Sequence, residues 1–300
     1  MFLNWLRNVV GGKPSSPGRC RDTRRLCRFR PELEVLEYRL APAVHTWTGG
    51  ASNLWSNNAN WSEGSPAGDA AAELRFPAGA AFLDTVNDLA ALTVEQIDFT
   101  GGGYKLSGNA LNVISPVLES PFIVSSAGTN EMNMALSLAS SGATSGRIKV
   151  DAGTLQLNGV IDGSTGLDKV GLGRLGLSGS NTFTGPFHVL QGAVLVQNGS
   201  ALGSGDAGRT NVSAGAAVEV LGGINVPETI NLAGFGIDGA GALRSTAGTN
   251  TWTGFIVLVA DASIGVDAGT LSVSGEIGDV GATSTFGLNK VGSGTLVLTI

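Results

Sequence analysis

Apolar and polar positions alternate with a period of two through much of the chain. Leu155 and Leu157 share a face, as do Leu175 and Leu177, Val218 and Val220, Leu271 and Val273, and Leu296 and Leu298. The residues between them are mostly small or polar. This pattern predicts short β-strands with one buried face. Gly, Asn and Asp interrupt the strands at intervals of roughly 8–12 residues, as in all-β folds. No stretch beyond residue 43 carries the 3.6-residue period of an amphipathic helix. None reaches the ~18–20 apolar residues of a membrane span.

The strands belong to a repeating unit. Asp151-Ala-Gly-Thr-Leu-Gln-Leu-Asn-Gly159 recurs as Asp267-Ala-Gly-Thr-Leu-Ser-Val-Ser-Gly275. Gly166-Leu-Asp-Lys-Val-Gly-Leu-Gly-Arg-Leu-Gly-Leu-Ser178 recurs as Gly287-Leu-Asn-Lys-Val-Gly-Ser-Gly-Thr-Leu-Val-Leu-Thr299, and Asn181-Thr-Phe-Thr-Gly185 as Asn250-Thr-Trp-Thr-Gly254. The three offsets differ, so loops of variable length separate similar strand–turn units. A sandwich or barrel also has short, evenly spaced strands. The internal copies favour a solenoid, in which neighbouring coils bury the apolar face that one coil cannot bury alone. The expected fold is an all-β, right-handed parallel β-helix with ~20–25 residues per coil.

Leu167 to Gly185, continuing through Val189 to Val196, resembles the autotransporter-associated β-strand repeat, also called the passenger-associated transport repeat. The segment departs from the family pattern at Gly176 and Pro186. Leu288 to Leu298 resembles the start of another copy. The chain stops at Ile300 in mid-unit, from which a longer solenoid is expected, truncated here at its C-terminal end. The resemblance implies an extracellular or cell-surface, secreted bacterial protein of structural or adhesion type.

Three regions follow. Residues 1–43 read as a leader, 44–118 as Trp-rich capping coils, and 119–300 as the β-helix repeat region. An open coil end presents unpaired edges and apolar core, so Trp47, Trp55 and Trp61 are expected to pack a cap. The alternative is an exposed platform for sugar faces. In the leader, Pro31 to Leu40 reads as a short helix with Leu33, Leu36 and Leu40 on one face. The rest is a basic, disordered-type run. Asn4 and Arg7 break the apolar stretch that an ordinary signal peptide needs. The string LEVLEYRLAPA resembles the Leu-Glu-rich leaders of large exported planctomycete-type proteins, with Ala41-Pro42-Ala43 as a small-residue cleavage site.

Composition changes this picture little. Gly is 46 of 300 residues, hydrophobic residues are 42% and charged residues 14%, which argues against disorder in the body. Residues 1–40 carry a net charge of +5 and residues 41–300 a net charge of −11. An acidic body without a basic stripe excludes nucleic acid as a partner. Both cysteines, Cys20 and Cys27, lie in the leader, without zinc spacing or a nearby His.

Candidate chemistry is sparse. Gly171-Leu-Gly-Arg-Leu-Gly176 fits G-x-G-x-x-G, but strand and turn follow it where a dinucleotide site needs a helix. His45 and His188 lie far apart in sequence. Gly203-Ser-Gly-Asp206 and Gly236-Ile-Asp-Gly239 are isolated fragments of a calcium β-roll repeat, read as turns. Asp151, Asp162, Asp168 and Asp267 recur with the structural unit and read as turn residues. No catalytic, cofactor-binding or metal residue is assigned. The chain reads as a non-enzymatic solenoid presenting polar ladders to glycans, matrix or neighbouring cells. A carbohydrate-active β-helix, a polysaccharide lyase or glycoside hydrolase with paired acids on one outer face, is the alternative.

Overall fold

A computed structural model describes residues 43–114, 120–139, 145–204, 209–281 and 285–299. The leader helix, the two cysteines and Asp206 lie outside the described residues. Among those described, the only helical segments are two 3-10 turns, Asn58–Asn60 and Ile237–Gly239.

Every strand pair is parallel, and each strand pairs with strands one coil away. On one face Ala43–Thr46 is followed by Ala72–Phe76, and later by Ser145–Val150, Gly166–Val170, Phe187–Val189, Thr210–Val212 and Ile230–Gly234. Register partners there are separated by 20 residues (Leu167 to Phe187) to 29 (Ala43 to Ala72). A second face carries Thr154–Leu157, Arg174–Leu177, Ala193–Val196, Ala217–Leu221 and Leu243–Ala247. A third face carries Leu111–Ile114, Leu136–Ala139 and Ile161–Gly163, and further along Thr249–Trp252, Thr270–Val273 and Thr295–Leu298. The architecture is a parallel β-solenoid. The crossover between parallel strands is made by the rest of the coil, so no helix is needed.

The period-2 pattern sets the inside. Leu155, Leu157, Leu175, Leu177, Val218, Val220, Leu271 and Val273 are all buried in one apolar cluster that runs from Trp47 to Val273. Leu298 differs and is 47% exposed, because among the described residues no coil stacks beyond it. At ~25 cal/mol per Å² of apolar surface, each such Leu contributes only when neighbouring coils cover it.

The sequence copies do not stack face on face. Leu155 leads through Leu175, Val194, Val218 and Leu243 to Ile264 on the second face. Leu271, its counterpart by sequence, lies on the third face against Asn250 and Leu296. The second copy is therefore rotated by one face, because the intervening coils have unequal lengths. A parallel ladder needs only an apolar residue at each inward position, so unlike segments can stack.

Corners repeat more faithfully than strands. Ala-Gly-Thr occurs at 127–129, 152–154, 247–249 and 268–270, each time with Gly at positive φ (66° to 83°). A Cβ on Gly153 would lie 1.8 Å from the carbonyl oxygen of Gly128, so a stacked corner requires Gly for space as well as for φ. The following amide ties the coils: Thr154 N donates to Gly128 O and Thr270 N to Gly248 O, both at 2.9 Å.

Two corners add a buried Asn, in Ser125-Ser-Ala-Gly-Thr-Asn130 and Ser245-Thr-Ala-Gly-Thr-Asn250. Asn130 Nδ2 donates to Gly101 O, Ser125 Oγ and Ala127 O, and its Oδ1 accepts from Tyr104 N. Asn250 Nδ2 donates to Ser245 Oγ and Ala247 O, and its Oδ1 accepts from Gly223 N and Ile224 N. Each amide satisfies backbone groups that the turn would leave unpaired in the interior.

Candidate functional site

The Trp residues of the first coils face inward. Trp47 and Trp55 are fully buried and Trp61 is 4% exposed. Trp61 meets Trp47 at 4.9 Å and Trp55 at 5.7 Å between ring centroids, both edge-on, and Phe76 extends the cluster to Phe99 and Tyr104. Their indole N–H groups donate to Phe82 O, Thr85 Oγ1 and Trp55 O. These rings offer no free face to a sugar.

His45 lies 19 and 24 residues from its two partners, and the fold brings all three together. Its Nε2 is 2.7 Å from Asp69 Oδ2 and its Nδ1 is 2.8 Å from Gly64 O. Both ring nitrogens face oxygen acceptors, which leaves neither as a base for a nucleophile. Sequence spacing gave no sign of this pairing. His188 is half-buried on an outer face.

The G-x-G-x-x-G segment is a corner. Gly171 N donates to Gln191 Oε1, Gly173 N to Val150 O and Arg174 N to Gly153 O, so these amides cannot cradle a phosphate. Gly176 departs from the repeat pattern because Gln156 lies across it. A Cβ there would be 1.9 Å from Gln156 Oε1, and Gln156 Nε2 reaches over to Gln197 Oε1, 41 residues on. Lys169, in the same unit, is fully buried. Its Nζ donates to Gly171 O at 2.7 Å and to Val170 O and Gln191 O at 3.1 Å. Burial pulls its pKa down to about 8, opposed by the charge of Asp151.

Asp151 and Asp267 lie at corners, but Asp162 and Asp168 lie within the strands Ile161–Gly163 and Gly166–Val170, on outward positions of the period-2 pattern, so the turn reading fails for these two; all four have partners. Lys149 pairs with Asp151, Arg147 with Asp168 and Arg244 with Asp267, and Ser137 donates to Asp162. Arg244 also reaches Glu219 Oε1 at 3.2 Å, and Arg174 lies 2.8 Å from Glu219 Oε2 without hydrogen-bond alignment. Glu219 is thus held between two guanidiniums with its side chain 2% exposed. The small Ala193 and Ala217 separate Arg174 from the next coils and leave it room to reach. Hydrogen bonding to Asp267 raises the pKa of Arg244 against its burial. Arg174, Glu219 and Arg244 border a 370 Å³ cleft that Leu172, 81% exposed, also lines.

A second cleft, of 260 Å³, lies on the first face between Arg209, Thr229, Phe255, Val257, Glu276 and Asp279. Phe255 is 54% exposed. The period-2 pattern around Ile256 and Leu258 already places Phe255 and Val257 outward; the sequence reading passed over them because the segment is apolar throughout. Among the described residues no group of three or more His, Cys, Asp or Glu side chains could hold a metal ion. None of their helices is long and apolar enough to cross a membrane.

Stacked parallel coils, stapled corners and outward polar ladders define a β-solenoid repeat protein. Residues 167–196 match the family described as the passenger-associated-transport-repeat. That segment of the chain is thus an autotransporter-associated repeat. The chain is also similar to the protein named adhesin BmaC autotransporter of Brucella suis biovar 1 (strain 1330), at 30% identity over 267 residues. That alignment covers 79% of this chain, and the chain spans 7% of the relative's length. No solved structure matches the chain. Repeat and relative together put the chain among secreted or cell-surface bacterial proteins.

Proposed function

We propose that the solenoid is a non-enzymatic, adhesion-type module that presents its outer ladders at the cell surface. The likeness to an autotransporter adhesin over most of the chain carries this reading. The outer face supports it: side chains such as Asn133, Asn158 and Ser178 bond one another from coil to coil and form a ladder of amides and hydroxyls. Such a surface binds by many weak polar contacts, and repetition along the axis multiplies them. In this reading the recurrent acids tie corners and neighbouring strands together and take no part in a reaction.

Beads coated with the full chain, held on a monolayer of cells under flow, are expected to be retained longer than albumin-coated beads. Equal rates of loss contradict the proposal. Release of reducing sugar from a polysaccharide panel by the purified chain contradicts its non-enzymatic part.

A further inference from the structure

We propose that the cleft around Phe255 is a binding subsite for a short neutral oligosaccharide. The inference rests on the adhesion reading and gives it a location. Amide–carbonyl bonds stack Arg209, Thr229, Phe255 and Glu276 in order, each one coil above the last. Rungs lie about 4.8 Å apart, so Arg209 and Glu276 are about 14 Å apart at the two ends of the run. The two outer residues are too distant to pair, and among the described residues neither side chain has an ion pair or hydrogen bond. This is the reverse of the Arg174–Glu219–Arg244–Asp267 cluster, where the charges pair with one another.

The Phe255 ring stands between these free polar ends. The negative face of an aromatic ring suits the weakly positive C–H face of a pyranose. A guanidinium beyond one edge and carboxylates beyond the other suit the hydroxyls around its rim. The floor of the cleft is Val257 and Gly278, which are register partners. A Cβ on Gly278 would meet no atom within 4 Å, so the space above it is open. With Glu276 and Asp279 against Arg209, the cleft carries one net negative charge, on a body of −11. Polyanionic glycans are therefore repelled and neutral ones are not.

Gly278 supplies the decisive variant. Its φ is not positive, so Gly278→Trp fills the cleft without backbone strain. Phe255→Ala removes the stacking ring and leaves the core untouched. Saturation-transfer NMR and calorimetric titration of the full chain with cellotriose, maltotriose, chitotriose and trigalacturonate form the test. At least one neutral trimer is expected to bind, with its ring C–H protons receiving the transfer. Both variants should weaken that binding by about tenfold or more, with circular dichroism unchanged, and trigalacturonate should bind more weakly. The proposal is overturned if no neutral trimer binds, if both variants bind like the parent, or if the anionic trimer is preferred. If Gly278→Trp beads still adhere to cells while trimer binding is absent from the parent, the subsite falls and the adhesion reading stands. If trimers bind as expected but beads do not adhere, the reverse holds.

Discussion

The buried Lys169 makes the fold's stability depend on pH in a direction that few lysines produce. Its ammonium is enclosed by three backbone carbonyls, with no carboxylate in contact. Burial lowers its pKa from 10.5 to about 8. In the unfolded chain the proton is held more tightly than in the fold. Between about pH 8 and 10.5 the unfolded state therefore binds more protons, and stability rises with pH. At 1.36 kcal/mol per unit, the full window corresponds to about 3 kcal/mol, and the rise from pH 8 to 9.5 to about 2 kcal/mol. Tyr104 acts oppositely but at higher pH. Burial raises its pKa to about 12 from 10, so its contribution is present below pH 10 and lost as pH rises toward 12. Urea unfolding of the full chain at pH 7.5, 8.5 and 9.5 stays clear of the tyrosine. Parent stability should climb across the series, and Lys169→Met should abolish the climb whatever its own offset. A flat or falling parent profile, or an unchanged slope in Lys169→Met, refutes the reasoning.

Other substitutions test the corners and ladders. Gly153→Ala places a methyl 1.8 Å from Gly128 O at a positive φ and should cost at least ~2 kcal/mol in urea unfolding. Asn250→Leu strips partners from Gly223 N, Ile224 N and Ala247 O; a loss of about 2–4 kcal/mol is expected by the same measurement, and a neutral result would show that water replaces the amide. Glu219→Ala leaves two part-exposed arginines facing each other and should lower stability by about 1–3 kcal/mol, less in high salt. Phe255→Ala, at a half-exposed position, should shift the unfolding midpoint by less than that of any of these, as thermal melts can check.

Much of the fold was legible because the solenoid writes itself in two short periods. Alternating Leu and Val positions such as Leu175 and Leu177 gave the strands, and the repeated units separated a solenoid from a sandwich. The register was not legible. Asp151 to Gly159 and Asp267 to Gly275 look like equivalent coils, yet lie on different faces, because stacking follows backbone pairing and coil length rather than sequence identity. The Ser-x-Ala-Gly-Thr-Asn corners were present in the sequence at 125 and 245 and were overlooked beside the louder strand copies. The surface was least legible. His45 meets Asp69, and Arg174 reaches Glu219 two coils away, through pairings that depend on loop lengths. The Phe255 cleft is built from four coils whose residues are 20 to 26 positions apart, a spacing that no local motif encodes.

The coil-to-coil register positions every strand and corner of the solenoid, and one cross-linking measurement tests it most directly. Asn211 and Asn231 are register partners on an outer face, and their side chains bond at 2.7 Å. In a chain with Cys20 and Cys27 replaced by Ser, Asn211→Cys with Asn231→Cys should form a disulfide readily, since adjacent rungs fall within the ~4.4–6.8 Å Cα range a disulfide needs. Asn211→Cys with Gln156→Cys, on another face and several coils away, should stay reduced under the same oxidant. Efficient cross-linking of the second pair, or none of the first, would contradict the parallel solenoid.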